Sequence, residues 1–237
     1  MYFFSAFGKS LHAILDLLFP PLCLGCRGLK ENTKGIFCPS CLASLNFFCM
    51  ANNCAKCLEP IDGKGCKEEK NHLYERMIAT FEPSFSGKRL IALSRQREEF
   101  YDLMASLAIC QMLNNNFPIP DIVVPIPDPK IHFLLKDYRF SFHLSKQIAS
   151  LCRNKVLDLF ENSTLSFLED EFSWKNRKDI SRKVILVVDV WHSYKRFQDI
   201  GKLLLEGFPE KLYGLSLMIP EEDFHPFEEI QELGLPR

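Results

Sequence analysis

Apolar residues in this chain recur at two intervals, and the change of interval marks out its elements. Across residues 87–113 they fall at Leu90, Ile91, Leu93, Phe100, Leu103, Met104, Leu107 and Met112, the three-to-four spacing of a helix with one buried stripe. The period breaks at residues 95–98, so the segment reads as one helix or two. Residues 121–127, Asp-Ile-Val-Val-Pro-Ile-Pro, are a short β-branched run ended by prolines, and residues 183–190, Lys-Val-Ile-Leu-Val-Val-Asp-Val, are apolar up to the aspartate. A strand covered on both faces has no polar alternation to keep, so such runs predict central strands of a parallel sheet. Between them residues 142–152 place Leu144, Ile148 and Leu151 on one helical face, residues 197–205 read as another helix, and residues 213–219 as a further strand. Strands alternating with helices imply a parallel α/β sheet, whose ligands sit beyond the carboxyl ends of the strands. Here those ends are Pro127 and Asp189.

The first 21 residues carry apolar side chains at Phe4, Phe7, Leu11, Ile14 and Leu18, interrupted by Lys9, His12 and Asp16 and closed by Pro20-Pro21. A bilayer span needs about 20 consecutive, mostly apolar residues. An export signal needs its cation ahead of the apolar run and a small-residue cleavage site behind it. The stretch therefore predicts an amphipathic helix docked on its own protein, with no membrane span and a cytoplasmic location. The whole chain has 237 residues, 47% hydrophobic and 25% charged, the balance of a soluble globular protein. That length suits one ordinary domain and a small appendage. A net charge of -1 excludes coating of nucleic acid or anionic membrane by bulk charge and leaves room only for local basic patches.

Cysteine changes the picture. Eight of the ten cysteines lie between Cys23 and Cys66. Cys23-Leu-Gly-Cys26 and Cys38-Pro-Ser-Cys41 are two C-x2-C knuckles separated by eleven residues, and each short turn presents both thiolates to one ion. A second set follows as Cys54-Ala-Lys-Cys57 and Cys66, with His72 or Cys49 as fourth ligand; either choice gives a known class of structural zinc site, and His72 is preferred. A disulfide framework would require an oxidising compartment. Both sets are closed, four-ligand sites, so the metal is expected to fold a segment too small to bury its own core. Cys110 and Cys152 stand alone in apolar helical contexts and are expected to be buried packing residues.

A cysteine-paired module, then Val124-Pro-Ile-Pro127 followed by Asp128-Pro-Lys130, then the VILVVDV strand with a loop and a helix after it, together resemble the ComF family. The resemblance covers most of the chain. It implies an α/β fold with a parallel sheet of type I phosphoribosyltransferase-like topology preceded by a small zinc-ribbon module. Residues 1–21 would form the N-terminal helix, 22–72 the zinc-binding module and 73–237 the phosphoribosyltransferase-like domain. It also implies a link to DNA uptake in natural transformation, with single-stranded DNA or DNA-uptake proteins as partners. In that fold two acids at a strand end hold the ribose hydroxyls of phosphoribosyl pyrophosphate, and a Thr-Thr-Gly-x-Thr-like loop cradles its 5'-phosphate on backbone N–H groups.

Aligned on VILVVDV, Val188 stands at the first acid, Asp189 at the second, and Tyr194 at the cradle glycine of the loop Trp191-His192-Ser193-Tyr194-Lys195-Arg196. A Cβ and ring stand there where backbone must approach phosphate, and a positive φ is costly for a non-glycine residue. In the pyrophosphate loop, similar in the family to PLHPKRLRERGFNQ, only Lys130, Lys136 and Arg139 survive as cations. The resemblance therefore leaves Asp189, Ser193, Lys195, Arg196 and Lys130 as ligand-binding candidates, with magnesium expected only alongside phosphoribosyl pyrophosphate. Asp189 suits a turn-capping role as well as a ligand role. Lys195-Arg196 and residues 175–178 read first as solvated faces, His132, His143 and His192 share no ligand spacing, and the acidic segment from Glu221 reads as an exposed tail or terminal helix.

Three functions follow. The preferred one is a non-catalytic interaction or nucleic-acid-associated protein that keeps the fold after its ligand loops have eroded, since fold alone never establishes activity. The others are a working phosphoribosyltransferase using Asp189, Ser193 and Lys195, and a sensor that binds a nucleotide or sugar phosphate without turnover.

Overall fold

The computed structural model describes residues 22–30, 36–61, 66, 72–94, 99–128, 139–162 and 171–219. The expected N-terminal helix, the acidic C-terminal segment, Lys130, His132 and Lys136 lie outside the described residues. Five strands form one sheet: β1 (Arg76–Phe81), β2 (Ile122–Pro125), β3 (Lys155–Val156), β6 (Val184–Trp191) and β7 (Lys211–Met218). Their order is β1-β7-β6-β2-β3 and every pairing is parallel. β4 (Phe160–Asn162) and β5 (Phe172–Trp174) make a separate antiparallel ribbon.

The continuous apolar run of β6 is explained by its place at the centre of the sheet. Leu186, Val188 and Val190 enter one core with residues of α2 (Phe85–Ser94), α3 (Glu99–Asn114) and α4 (Phe140–Leu151), while Ile185 and Val187 enter the other with Phe197, Ile200 and Leu204 of α5 (Tyr194–Leu205). Both faces are apolar because both are covered. The segment expected as one helix or two is two, α2 and α3. Cys110 corrects an expectation: it is exposed. Asp102, Ser106 and Cys110 form an i, i+4 row on the solvent side of α3, while Met104, Ala105 and Ala108 take the buried side. Cys152, just past α4, is half-buried.

The described residues between 22 and 72 pack on this sheet along its β1 edge. Phe48 N donates to Thr80 O at 3.1 Å, Glu82 N to Asn46 O at 3.1 Å and Met77 N to Ala55 O at 2.7 Å, and the Phe47 and Phe81 rings stack at 6.0 Å. β1 is thereby paired on both sides, and an edge that would otherwise template association is covered. Gln111 Nε2 donates to Phe48 O at 2.7 Å and Arg89 Nε to Leu24 O at 2.6 Å. Residues on the two sides of position 72 thus share cores, with Phe48 and Leu58 buried beside Tyr74 and Phe197. No described helix is long and apolar enough to cross a membrane.

Candidate metal centres and the strand-end loop

The first cluster is assembled by two short turns. Cys23 and Cys26 sit on a turn closed by Arg27 N donating to Cys23 O at 2.9 Å. Cys38 caps the short helix α1 (Pro39–Ala43), whose buried residue is Cys41. The four sulfurs lie within 4.8 Å of one another, and Cys26 Sγ is 3.8 Å from Cys38 Sγ. Around a tetrahedral ion with Zn–S bonds of about 2.3 Å, the edge between two sulfurs is about 3.8 Å. Backbone N–H groups converge on the same sulfurs, from Cys38 to Cys23 Sγ at 3.1 Å and from Gly25 to Cys23 Sγ at 3.3 Å. Such donors favour thiolate over thiol.

Burial acts to raise the Cys23 pKa, but the N–H groups of Cys38, Cys26 and Gly25 outweigh it and bring the group down to about 6. Burial pushes Cys41 up to about 12, helped by the thiols of Cys38, Cys23 and Cys26. Four sulfurs packed this closely cannot all carry charge by themselves; a divalent cation among them would let them do so. The donor set therefore fits zinc.

In the second cluster Cys54, Cys57, Cys66 and His72 bring their ligand atoms within 4.8 Å. His72 Nε2 lies 3.6 Å from Cys54 Sγ and 3.4 Å from Cys66 Sγ, and Cys57 and Cys66 are 3.4 Å apart. Cys49 is exposed and outside the group. Of the two candidates for fourth ligand, the fold groups His72, and not Cys49, with Cys54, Cys57 and Cys66. Burial raises the Cys57 thiol, with Cys66 and Cys54 adding to the rise. Three thiolates and an imidazole with no open position make a structural site, which holds a fold rather than a reacting water.

At the carboxyl ends of β2 and β6 lie the residues expected to hold a ligand. Asp189 is 1% exposed. Its Oδ1 accepts from Val190 N at 2.7 Å and from Ser141 Oγ at 3.2 Å, and its Oδ2 is 2.9 Å from an Arg196 guanidinium nitrogen. The other terminal nitrogen of Arg196 donates to Pro127 O at 2.7 Å. Ser141, at the start of α4, also donates its N–H to Asp128 Oδ2 at 3.2 Å. Arg196, read first as solvated, instead has a side chain only 14% exposed. The reason is the buried carboxylate beneath it, which draws the guanidinium inward. Ser193 caps α5, accepting from Arg196 N at 3.5 Å, and Lys195 is exposed. Asp189, Ser193 and Arg196 are brought together; Lys195 points away, and Lys130 lies outside the described residues.

His192 is 6% exposed, stacked on Phe197 at 5.5 Å. Burial lowers its pKa to about 4, which the Cys57 backbone only partly opposes. Beside the loop a cavity of about 220 Å³ is lined by Pro127, Asp128, Arg139, Phe142, Phe160 and Lys175, among others. This is below the roughly 300–1,000 Å³ of ordinary ligand sites. Arg139 and Lys175 both sit on Asp158 Oδ2, at 2.5 and 2.8 Å, so an anion entering the cavity must compete with that carboxylate. Sequence reasoning missed Asp158 and Ser141, because strands of two or three residues carry no period and a lone serine on a helix announces no partner.

Residues 14–72 match the double zinc ribbon domain. Comparison with curated proteins gives no match. Among solved structures, the hypoxanthine-guanine phosphoribosyltransferase of L. donovani aligns at 12% identity and TM-score 0.34, covering 62% of this chain and 77% of that one. A hypoxanthine-guanine phosphoribosyltransferase of Bacillus anthracis aligns at 16% and 0.34, covering 57% and 70%. A hypoxanthine phosphoribosyl transferase of Trypanosoma cruzi aligns at 10% and 0.34, covering 57% and 67%.

The doubling of the zinc ribbon is written in the backbone. A shift of 31 residues carries Cys23 to Cys54, Cys26 to Cys57 and Cys41 to His72. The same shift carries the Leu22↔Leu29 bridge onto Asn53↔Pro60. Arg27 and Leu58, each just after the second knuckle cysteine, share a left-handed φ of 58° and 63°. Gly25 shows how tight the first ribbon is: a Cβ there would stand 2.7 Å from Cys41 Sγ.

For metal analysis of the purified protein we expect two zinc ions per chain, two in Cys49→Ser and one in His72→Ala, from the composition of the two clusters. Loss of zinc from Cys49→Ser with both ions kept in His72→Ala would reverse the ligand assignment.

Proposed function

We propose that this chain is a ComF-like interaction protein, in which a double zinc ribbon and a phosphoribosyltransferase-like sheet form one scaffold without transferase turnover. The observation that supports this most is the Arg196 fork. A ribose-binding acid must present its carboxylate to a ligand, whereas Asp189 is buried, its Oδ1 accepting two hydrogen bonds and its Oδ2 facing the Arg196 guanidinium in an ion pair. Arg196 in turn closes on Pro127, tying together the two strand ends between which phosphoribosyl pyrophosphate would lie. Val188 is fully buried and supplies no second acid. Magnesium binds through one or two carboxylates together with substrate phosphates, and Asp189 is here turned to Arg196 and Ser141 instead. Partnership with single-stranded DNA or with DNA-uptake proteins follows from the resemblance to ComF proteins and belongs to the same proposal.

Titration calorimetry with phosphoribosyl pyrophosphate and magnesium tests the reading, and no heat is expected up to millimolar ligand. Binding that disappears in Asp189→Asn would defeat the scaffold and favour the transferase. A second reading, a sensor of a small anion, is favoured by the cavity beside Arg139 and Lys175. Its mark would be heat that survives Asp189→Asn and is lost in Arg139→Ala. For single-stranded DNA, affinity that falls steeply with salt is the expected signature of phosphate contacts.

A further inference from the structure

The two zinc ribbons face different parts of the molecule. The first leans on α2, where Leu24 O receives the buried Arg89 side chain. The second stands against the loop that follows β6. Its knuckle hydrogen-bonds β1 through Ala55 O. Leu58, 1% exposed, joins Phe197 in one core. From ligand His72 the chain runs directly into Leu73 and Tyr74. Tyr74 Oη donates to Phe197 O at 2.7 Å, and its ring meets Phe197 edge-on at 5.7 Å. Leu73 and Tyr74 press so closely on α5 that a Cβ at Gly201 would lie 3.1 and 3.2 Å from them. Behind the same knuckle lies His192, buried against the Phe197 ring with the Cys57 backbone beside its imidazole. Such a residue stays buried only while its surroundings hold it there.

We infer that the second zinc ribbon is a metal-dependent clamp on residues 192–197, so that loading of Cys54, Cys57, Cys66 and His72 sets the order of the strand-end loop. Residues 73–74 transmit the restraint, because they join the ligand His72 to the first turns of α5. With the metal held, Ser193 caps the helix and Arg196 stays on Asp189; with it released, Tyr74 loses its fixed approach to Phe197 and the loop loosens. Among the described residues the first ribbon has no such path, since its contacts lie with the other core. This inference goes beyond the scaffold reading and stands whether or not transferase chemistry survives.

Hydrogen exchange read by mass spectrometry on the zinc-loaded full chain tests it. In His72→Ala, exchange in peptides spanning 192–197 is expected to be about tenfold faster, while peptides of β2 and α3 keep their protection. His72→Cys restores a four-ligand site and should restore protection, and Cys26→Ala, which disrupts the first ribbon, should leave 192–197 protected. An unchanged rate in His72→Ala, or an equal rise in Cys26→Ala, overturns the clamp. Should His72→Ala open throughout, Tyr74→Phe decides: faster exchange at 192–197 with both zinc ions retained supports the clamp, and no change overturns it.

Discussion

Arg196→Met should destabilise the protein by about 3–5 kcal/mol, the usual cost of removing one partner from a buried ion pair. The cost arises because Asp189, 1% exposed, loses the cation that faces it. The hydrogen bonds from Ser141 and Val190 offset only part of the hydration the carboxylate gave up on burial. Pro127 O loses its donor as well, which frees the end of β2. A native domain holds a total margin of about 5–15 kcal/mol, so the change is a large fraction of it. Adding Asp189→Asn to Arg196→Met should recover part of the loss, since the double variant leaves no orphaned charge. Urea unfolding of the wild type and the two variants measures this. A loss below about 1 kcal/mol in Arg196→Met would put the pair in the class of exposed salt bridges and remove the main support for a closed ligand site.

Chelation of zinc should have the larger effect. Structural zinc contributes about 10–16 kcal/mol in isolated zinc-finger peptides at neutral pH, comparable with the whole stability of a domain. The ribbons here have little core of their own; Phe48 and Leu58 pack with Tyr74 and Phe197, and residues 46–48 complete the β1 edge. Loss of the metal should therefore unfold residues 22–72, bare the β1 edge and expose apolar surface, with aggregation following from the unpaired strand. Excess chelator should lower the thermal transition followed by near-ultraviolet dichroism, and restored zinc should return it. An unchanged transition in protein shown by elemental analysis to be metal-free would mean that the cysteines pack without needing an ion.

Much of this architecture is legible in residue order. The run from Val184 to Val188 names a central strand because nothing in it tolerates water, and the paired C-x2-C turns name a metal site because two residues between cysteines aim both sulfurs one way. The helices of residues 87–113 and 142–152 follow from period. Other features depend on distant residues. The β4–β5 ribbon has strands of three residues, too short for a pattern. Cys110 looks apolar in its local context, yet it sits on the i, i+4 row of α3 that faces solvent.

The same division runs through the candidate site. Sequence by itself pointed to eight cysteines and a histidine near the start of the chain as zinc ligands or their rivals, to a parallel sheet after them, and to Asp189 near the end of a central strand. Spacing cannot choose between Cys49 and His72, because both are near enough along the chain; only folding shows which side chain reaches Cys54 and Cys66. Nor can it tell whether Asp189 serves a ligand or the protein. That depends on Ser141, Arg196 and Pro127, contributed by three other segments that meet only when the sheet is built. Local pattern reports which groups a chain carries, and tertiary structure decides which of them satisfy one another, because a buried charge is stabilised by whatever lies within a few ångströms, however far away it is in sequence.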